Sequence, residues 1–194
     1  MRKAGLESRL FLLRIRPKLH VYCSLRKVTD MKTAFSLSQR ILHWLMAVLI
    51  LFNLLFSDAM TAFGELYFGD KPIPPDIMTS ANIHAYVGIT ILVLALTRLC
   101  LRIALGVPPH PEAEPAFSRV VATITHWSLY AMFIIMPLAG IGAFYFKNSM
   151  AAFAHIGWMK TALWVLICLH ILGVLVHQFY WKTNILRRMT SGRT

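Results

Sequence analysis

Acidic side chains are scarce in this sequence, and its apolar parts contain none. The chain has 8 Asp and Glu residues against 20 Lys and Arg. No Asp or Glu lies in any of four long apolar windows, at about 41–57, 81–101, 120–146 and 154–181. Proton relays and transporters use carboxylates inside the membrane, and di-iron sites in helical bundles are built from glutamates. The absence of carboxylates from the windows argues against a proton relay, a transporter and a di-iron site.

Cysteine is also rare. The three cysteines, Cys23, Cys100 and Cys168, are scattered along the chain, and two of them lie in apolar windows. An odd, scattered set indicates neither a disulfide framework nor a zinc site.

What the sequence does have is hydrophobic length. It is 57% hydrophobic and 14% charged, with a mean hydropathy of +0.60, which is too apolar for a soluble domain of this size. Each window approaches the ~20 apolar residues that cross ~30 Å of hydrocarbon. Proline, glycine and polar residues separate the windows at 70–75, 106–109 and 147–149. The pattern predicts an all-α bundle of four transmembrane helices.

The basic residues predict how this bundle is oriented. Residues 1–40 contain ten Lys and Arg, the second joint is flanked by three arginines, and the tail carries four basic residues. The first joint has one lysine against four acidic residues. The positive-inside rule therefore places both termini and the middle loop in the cytoplasm. The formal charge of +12 then faces anionic lipid, and no nucleic-acid partner is expected.

The first 34 residues form a basic extension ahead of the bundle, which is expected to span residues 35–190. The apolar stretch 10–13 is too short to cross a membrane, and no signal-peptide cleavage site follows it. Two interpretations stay open. The extension is a disordered or interfacial anchor, or the natural start of the protein is Met31.

Histidine is the chemically informative residue type in the windows. Six of the eight histidines lie there, and a polar group in lipid is costly unless it has a function. They are His43, His84, His126, His155, His170 and His177. Imidazoles from two helices can hold a haem iron from both sides. Because no Cys-x-x-Cys-His occurs, any haem would be bound non-covalently.

The depths of these histidines predict two pairs. His43 lies near the cytoplasmic start of the first helix, and His84 near the periplasmic start of the second. The fifteen residues from His155 to His170 correspond to about 22 Å of helix and an angular offset of about 60°. We therefore expect His84 to pair with His155 and His43 with His170, giving two haems at different depths.

The remaining polar groups have several interpretations. His126 and His177 could bond to each other, to haem propionates or to the backbone, act at a quinone pocket, or replace a ligand. Arg98 and Arg102 are expected to reach lipid phosphates, or to pair with a propionate. Lys160 is expected to reach outward as well, although it could attract an anionic donor.

Four motifs, one in each predicted helix, resemble the bacterial cytochrome b561 family over about residues 35–190. They are listed in chain order: Arg40-Ile41-Leu42-His43-Trp44-Leu45; His84 with Gly88 and Arg98; Thr125-His126-Trp127-Ser128-Leu129-Tyr130 with Met136-Pro137-Leu138-Ala139-Gly140; and Leu169-His170 with His177-Gln178-Phe179-Tyr180-Trp181-Lys182 and Leu186-Arg187-Arg188-Met189.

The resemblance implies a di-haem b-type cytochrome that exchanges electrons with quinone, with His43, His84, His155 and His170 as iron ligands. One branch of the family oxidises superoxide and reduces ubiquinone. The family usually spaces the two ligands of the last helix fourteen residues apart, where this chain has Ile156, and it often has a second histidine at the position of Gln178.

Three functions remain open at this stage. The first is an electron carrier or a superoxide:quinone oxidoreductase that takes electrons from superoxide or another periplasmic donor. The second is a cytochrome b subunit of a membrane-bound dehydrogenase or hydrogenase. The third is a non-redox membrane scaffold. The sequence does not indicate the oligomeric state.

Overall fold

The computed structural model describes residues 34–111, 114–183 and 185–191. Within these residues all regular structure is helical. The elements are α1 Leu37–Leu55, α2 Asp58–Phe68, α3 Pro75–Leu105, α4 Ala116–Phe146, α5 Ser149–Ala154, α6 Lys160–Leu175 and α7 Ile185–Thr190, with π-helical segments at His155–Met159 and Val176–Tyr180. The basic extension lies outside the described residues, apart from Ala34.

Within the part of the chain that the structure describes, four spans are long and apolar enough to cross a membrane. They are α1, α3, α4 and the continuous run Ser149–Tyr180. Only 11–22% of the residues in their apolar windows are buried inside the protein. The other residues in these windows are exposed or partly exposed, as expected for spans in contact with lipid. The predicted all-α, four-span fold is confirmed.

The ends of the spans follow local sequence signals. Ser36 and Gln39 form a capping box at the start of α1, and Pro75 is the first residue of α3. The α3 helix ends at Gly106, whose φ of 71° suits glycine. The Gln39 side chain also donates to the Gly106 carbonyl at 3.0 Å. This bond joins the start of α1 to the end of α3, so the two helices are antiparallel.

The packed interior lies between these helices. Buried apolar side chains from all four spans meet there: Met46, Ile50, Ile91, Ala95, Leu129, Met132, Met159 and Leu163. α3 packs against α1 and α4, and α4 packs against the last span. The paired histidines lie on these same helices.

The segment after α1 is helical, although the sequence indicates only a joint between two apolar windows. Phe63 of α2 is buried and stacks on Phe144 and Tyr67. The Tyr67 hydroxyl donates to the Phe144 carbonyl at 2.9 Å, and Lys147 forms an ion pair with Asp70. The short apolar face of α2 therefore packs on the end of α4, which hydropathy windows of membrane length do not detect.

Candidate functional site

His43 and His170 lie together at one end of the bundle. His43 is in the second turn of α1 and His170 is in α6. Their ring centroids are 6.1 Å apart, and the ring planes make an angle of 67°. The structure thus brings together the two side chains that the sequence predicted as the cytoplasmic pair.

His84 and His155 lie together at the opposite end. His84 comes from the first half of α3, and His155 follows directly after α5. Their ring centroids are also 6.1 Å apart, with an interplanar angle of 77°. The His155 Nδ1 donates to the Met136 carbonyl of α4 at 2.8 Å. Metal-binding histidines commonly use the second ring nitrogen in this way, which sets the ring's orientation.

The glycine at position 140 makes room for this ring. A Cβ atom placed on Gly140 would lie 3.1 Å from the His155 Cε1, which is closer than ordinary van der Waals contact. The absence of a side chain at position 140 therefore lets His155 pack against α4.

A π-helical segment explains how His155 reaches His84 although it lies one residue before the family's usual ligand position. Fifteen residues separate His155 from His170, one more than the family's usual spacing. The chain is π-helical from His155 to Met159, and Gly157 departs from helical dihedral angles, with φ −89° and ψ −111°. One π turn takes up one additional residue. His155 therefore reaches His84, while Ile156 is exposed.

Both pairs have the separation needed to share a metal ion. Bonds of about 2 Å from the metal to each imidazole nitrogen, plus about 1 Å from nitrogen to ring centre, place the two centroids about 6 Å apart. In addition, the His84 Nδ1 is buried and lacks a hydrogen-bond partner among the described residues. A metal-binding role is consistent with an imidazole that is otherwise unsatisfied. The donor set fits six-coordinate haem iron.

His126 is a third imidazole beside the first pair. Its ring centroid lies 5.2 Å from that of His170, and its Nδ1 donates to the Ala122 carbonyl at 2.6 Å. Arg98 and Arg102 lie over the Tyr130 ring of α4, at 5.6 and 5.7 Å. Cation–π contacts thus hold both guanidinium groups against α4. The sequence alone favours contact of these groups with lipid phosphates instead.

His177 does not bond to His126. Its Nδ1 pairs with the Thr183 hydroxyl at 2.9 Å, and its Nε2 lies 3.4 Å from the Glu114 carboxylate. Of the interpretations left open by the sequence, His126 follows the one in which it bonds to the backbone, and His177 bonds to Thr183. Glu114 lies outside the apolar windows, so the absence of carboxylates within them gives no sign of its role.

Lys160 points into the protein at the opposite end. Its Nζ donates to the Ser57 hydroxyl at 3.1 Å. The outward orientation expected from the sequence is wrong. Asn53 lies nearby on α1 and donates to the His84 carbonyl at 3.2 Å. Neither Ser57 nor Asn53 can be recognised from the sequence, because single polar residues in a span carry no motif.

The family model of prokaryotic cytochrome b561 matches residues 34–192. The chain belongs to this family. A cytochrome b562 of Cereibacter sphaeroides is 31% identical over 153 residues, covering 78% of this chain and 92% of that protein. A probable superoxide oxidase CybB of Yersinia pestis is 27% identical over 180 residues, covering 82% of this chain and 97% of that protein. Cytochrome b561 homolog 1 of Escherichia coli K12 is 25% identical over 180 residues, with 82% and 98% covered.

Membership in the cytochrome b561 family gives the chain its general function. It is a multi-pass protein of the bacterial inner membrane that carries b-type haem and transfers electrons. The non-redox scaffold considered from the sequence is thereby set aside.

Proposed function

We propose that the chain is a di-haem cytochrome that carries electrons between the two faces of the bilayer. His43 with His170 would hold one haem iron, and His84 with His155 would hold the other. The observation that carries this proposal is the equal separation of the two pairs, 6.1 Å between centroids in each case. Each pair comes from two different helices, and the pairs lie at opposite ends of the bundle.

The protein's contribution is to hold and orient these ligands. Haem iron with two histidine ligands undergoes one-electron oxidation and reduction and has no open coordination position. The Met136 carbonyl orients His155, and the packed helices position the other rings. Arg98, Arg102 and His126 lie beside the His43–His170 end and are candidates to bind propionates.

We further propose that electrons enter from superoxide or another periplasmic donor and leave to the ubiquinone pool. The similarity to a probable superoxide oxidase supports this direction. Lys160 supports it as well, because its positive charge beside His84 and His155 would attract an anion. Asp70 is an acidic residue of the first joint whose negative charge would repel superoxide, and it is paired with Lys147.

Haem content is the first test. The purified full chain should show sharp b-type bands in a reduced-minus-oxidised spectrum, with two haems per polypeptide by pyridine haemochromogen assay. A single haem in the fully loaded protein would contradict the two-pair assignment.

The electron donor is tested separately. We expect superoxide to reduce the oxidised protein faster than superoxide dismutates, and added ubiquinone to reoxidise it. Reduction slower than dismutation would reject superoxide as the donor and leave an electron carrier with another partner.

A further inference from the structure

A second cluster of titratable side chains lies apart from the two histidine pairs, between the α3–α4 connection and the end of the last span. It consists of His110, Glu114 and His177. One Glu114 carboxylate oxygen lies 2.9 Å from the His110 Nδ1, and the other lies 3.4 Å from the His177 Nε2. The carboxylate thus bridges two imidazoles that come from different parts of the chain.

The three side chains differ sharply in exposure. The His110 side chain is 48% exposed, whereas those of Glu114 and His177 are 1% and 7% exposed. The Glu114 oxygen nearest His177 is buried and has no hydrogen-bond partner among the described residues. The cluster therefore leads from solvent at His110 to an unsatisfied acceptor in the interior.

The cluster also approaches the proposed haem end of the bundle. His177 follows His170 by seven residues, about two helical turns, which places both on the same side of the last span.

Among the described residues, two arginines near Glu114 bond to backbone carbonyls. Arg119 donates to the Glu114 carbonyl from Nε at 3.2 Å and from Nη2 at 2.9 Å. Arg188 donates to the Pro109 carbonyl at 3.0 Å. The Nδ1 of His177 is hydrogen-bonded to the Thr183 hydroxyl. A proton gained by either imidazole would therefore be balanced directly by the carboxylate between them.

We propose that His110, Glu114 and His177 form a proton-exchange site whose occupancy depends on the oxidation state at the His43–His170 end. The proposal rests on the ligand role proposed above for that pair. When one electron arrives there, one negative charge is added in a medium of low dielectric. A proton from water then enters at His110 and is held between Glu114 and His177. When the electron leaves, the proton returns to water.

A redox titration of the haem-loaded full chain tests this site. We expect the midpoint potential of one haem to fall as pH rises between about 5 and 8, where imidazoles titrate, because proton binding favours reduction. Glu114→Gln should remove most of this dependence without changing the b-type spectrum. The matched control is Glu65→Gln, the same change at an exposed position on α2, which should behave as the unmodified protein.

Two results would overturn the proposal: potentials of the unmodified protein that do not vary with pH, or the same pH slope in Glu114→Gln. If that variant does not fold, His110→Gln at the half-exposed end replaces it. The His110→Gln variant should show a weaker dependence of the midpoint potential on pH, and an unchanged dependence counts against the site. Haem content distinguishes this result from a wrong ligand assignment. If His43 does not bind haem, the His43→Ala variant retains its full haem content.

Discussion

The rings of His84 and His155 meet edge to face with centroids 6.1 Å apart, even though His155 is one residue away from the family's usual ligand position. The π-helical segment that begins at His155 accounts for this arrangement. A straight α-helix advances about 100° per residue, so one additional residue would turn the ring away from its partner. The π turn absorbs that residue, and Lys160, which follows it directly, also points inward.

Changing the length of the last span tests this account. Deletion of Ile156, whose side chain is 62% exposed, should convert the π turn to α-helix and leave both haems bound. Insertion of an alanine between Val165 and Leu166 should rotate His155 by about 100° and release one haem. Haem content per polypeptide measures both. Loss of a haem from the deletion variant would contradict the register argument.

The ligand pairs are tested by single substitutions. His43→Ala and His170→Ala should each remove the same one of the two haems, because six-coordinate iron needs both axial ligands. His84→Ala and His155→Ala should remove the other. The spectrum and midpoint potential of the remaining haem identify which one is lost. A folded His43→Ala variant that loses both haems, or neither, would disprove the pairing.

Gly140 is predicted to matter for haem retention at the His84–His155 end. The methyl group of Gly140→Ala would press on the His155 ring, and we expect haem affinity there to fall by about tenfold, as for other changes around metal ligands. Gly173→Ala is the matched control, since a Cβ at position 173 meets no atom within 4 Å. Haem transfer to apomyoglobin reports the affinity. Equal haem loss from the two variants would show that Gly140 has no special role.

Lys160 is predicted to steer an anionic electron donor. Lys160→Met should slow haem reduction by superoxide by several-fold to about tenfold and weaken the salt dependence of the rate, because a fixed positive charge near the entry point is lost. Lys71→Met, at an exposed position between α2 and α3, is the control. Stopped-flow spectroscopy at several ionic strengths provides the measurement. An unchanged rate and salt dependence would exclude steering by Lys160.

The sequence by itself determined the four apolar spans, the absence of carboxylates within them and the two histidine pairs. These features follow from composition, helix length and residue spacing, which are local properties of the chain. Orientation in the membrane remains a prediction from the basic residues, and the ligand roles await the substitutions above.

Only the tertiary structure decided how His155 reaches His84, why position 140 is glycine, and where His177 and Lys160 point. Each of these depends on contacts between residues far apart in the chain, such as Gly140 with His155 or Glu114 with His177. The π turn at His155 has the same origin. Its extra residue is accommodated because the packed helices hold both ends of the last span in position, and a local sequence pattern does not record that constraint.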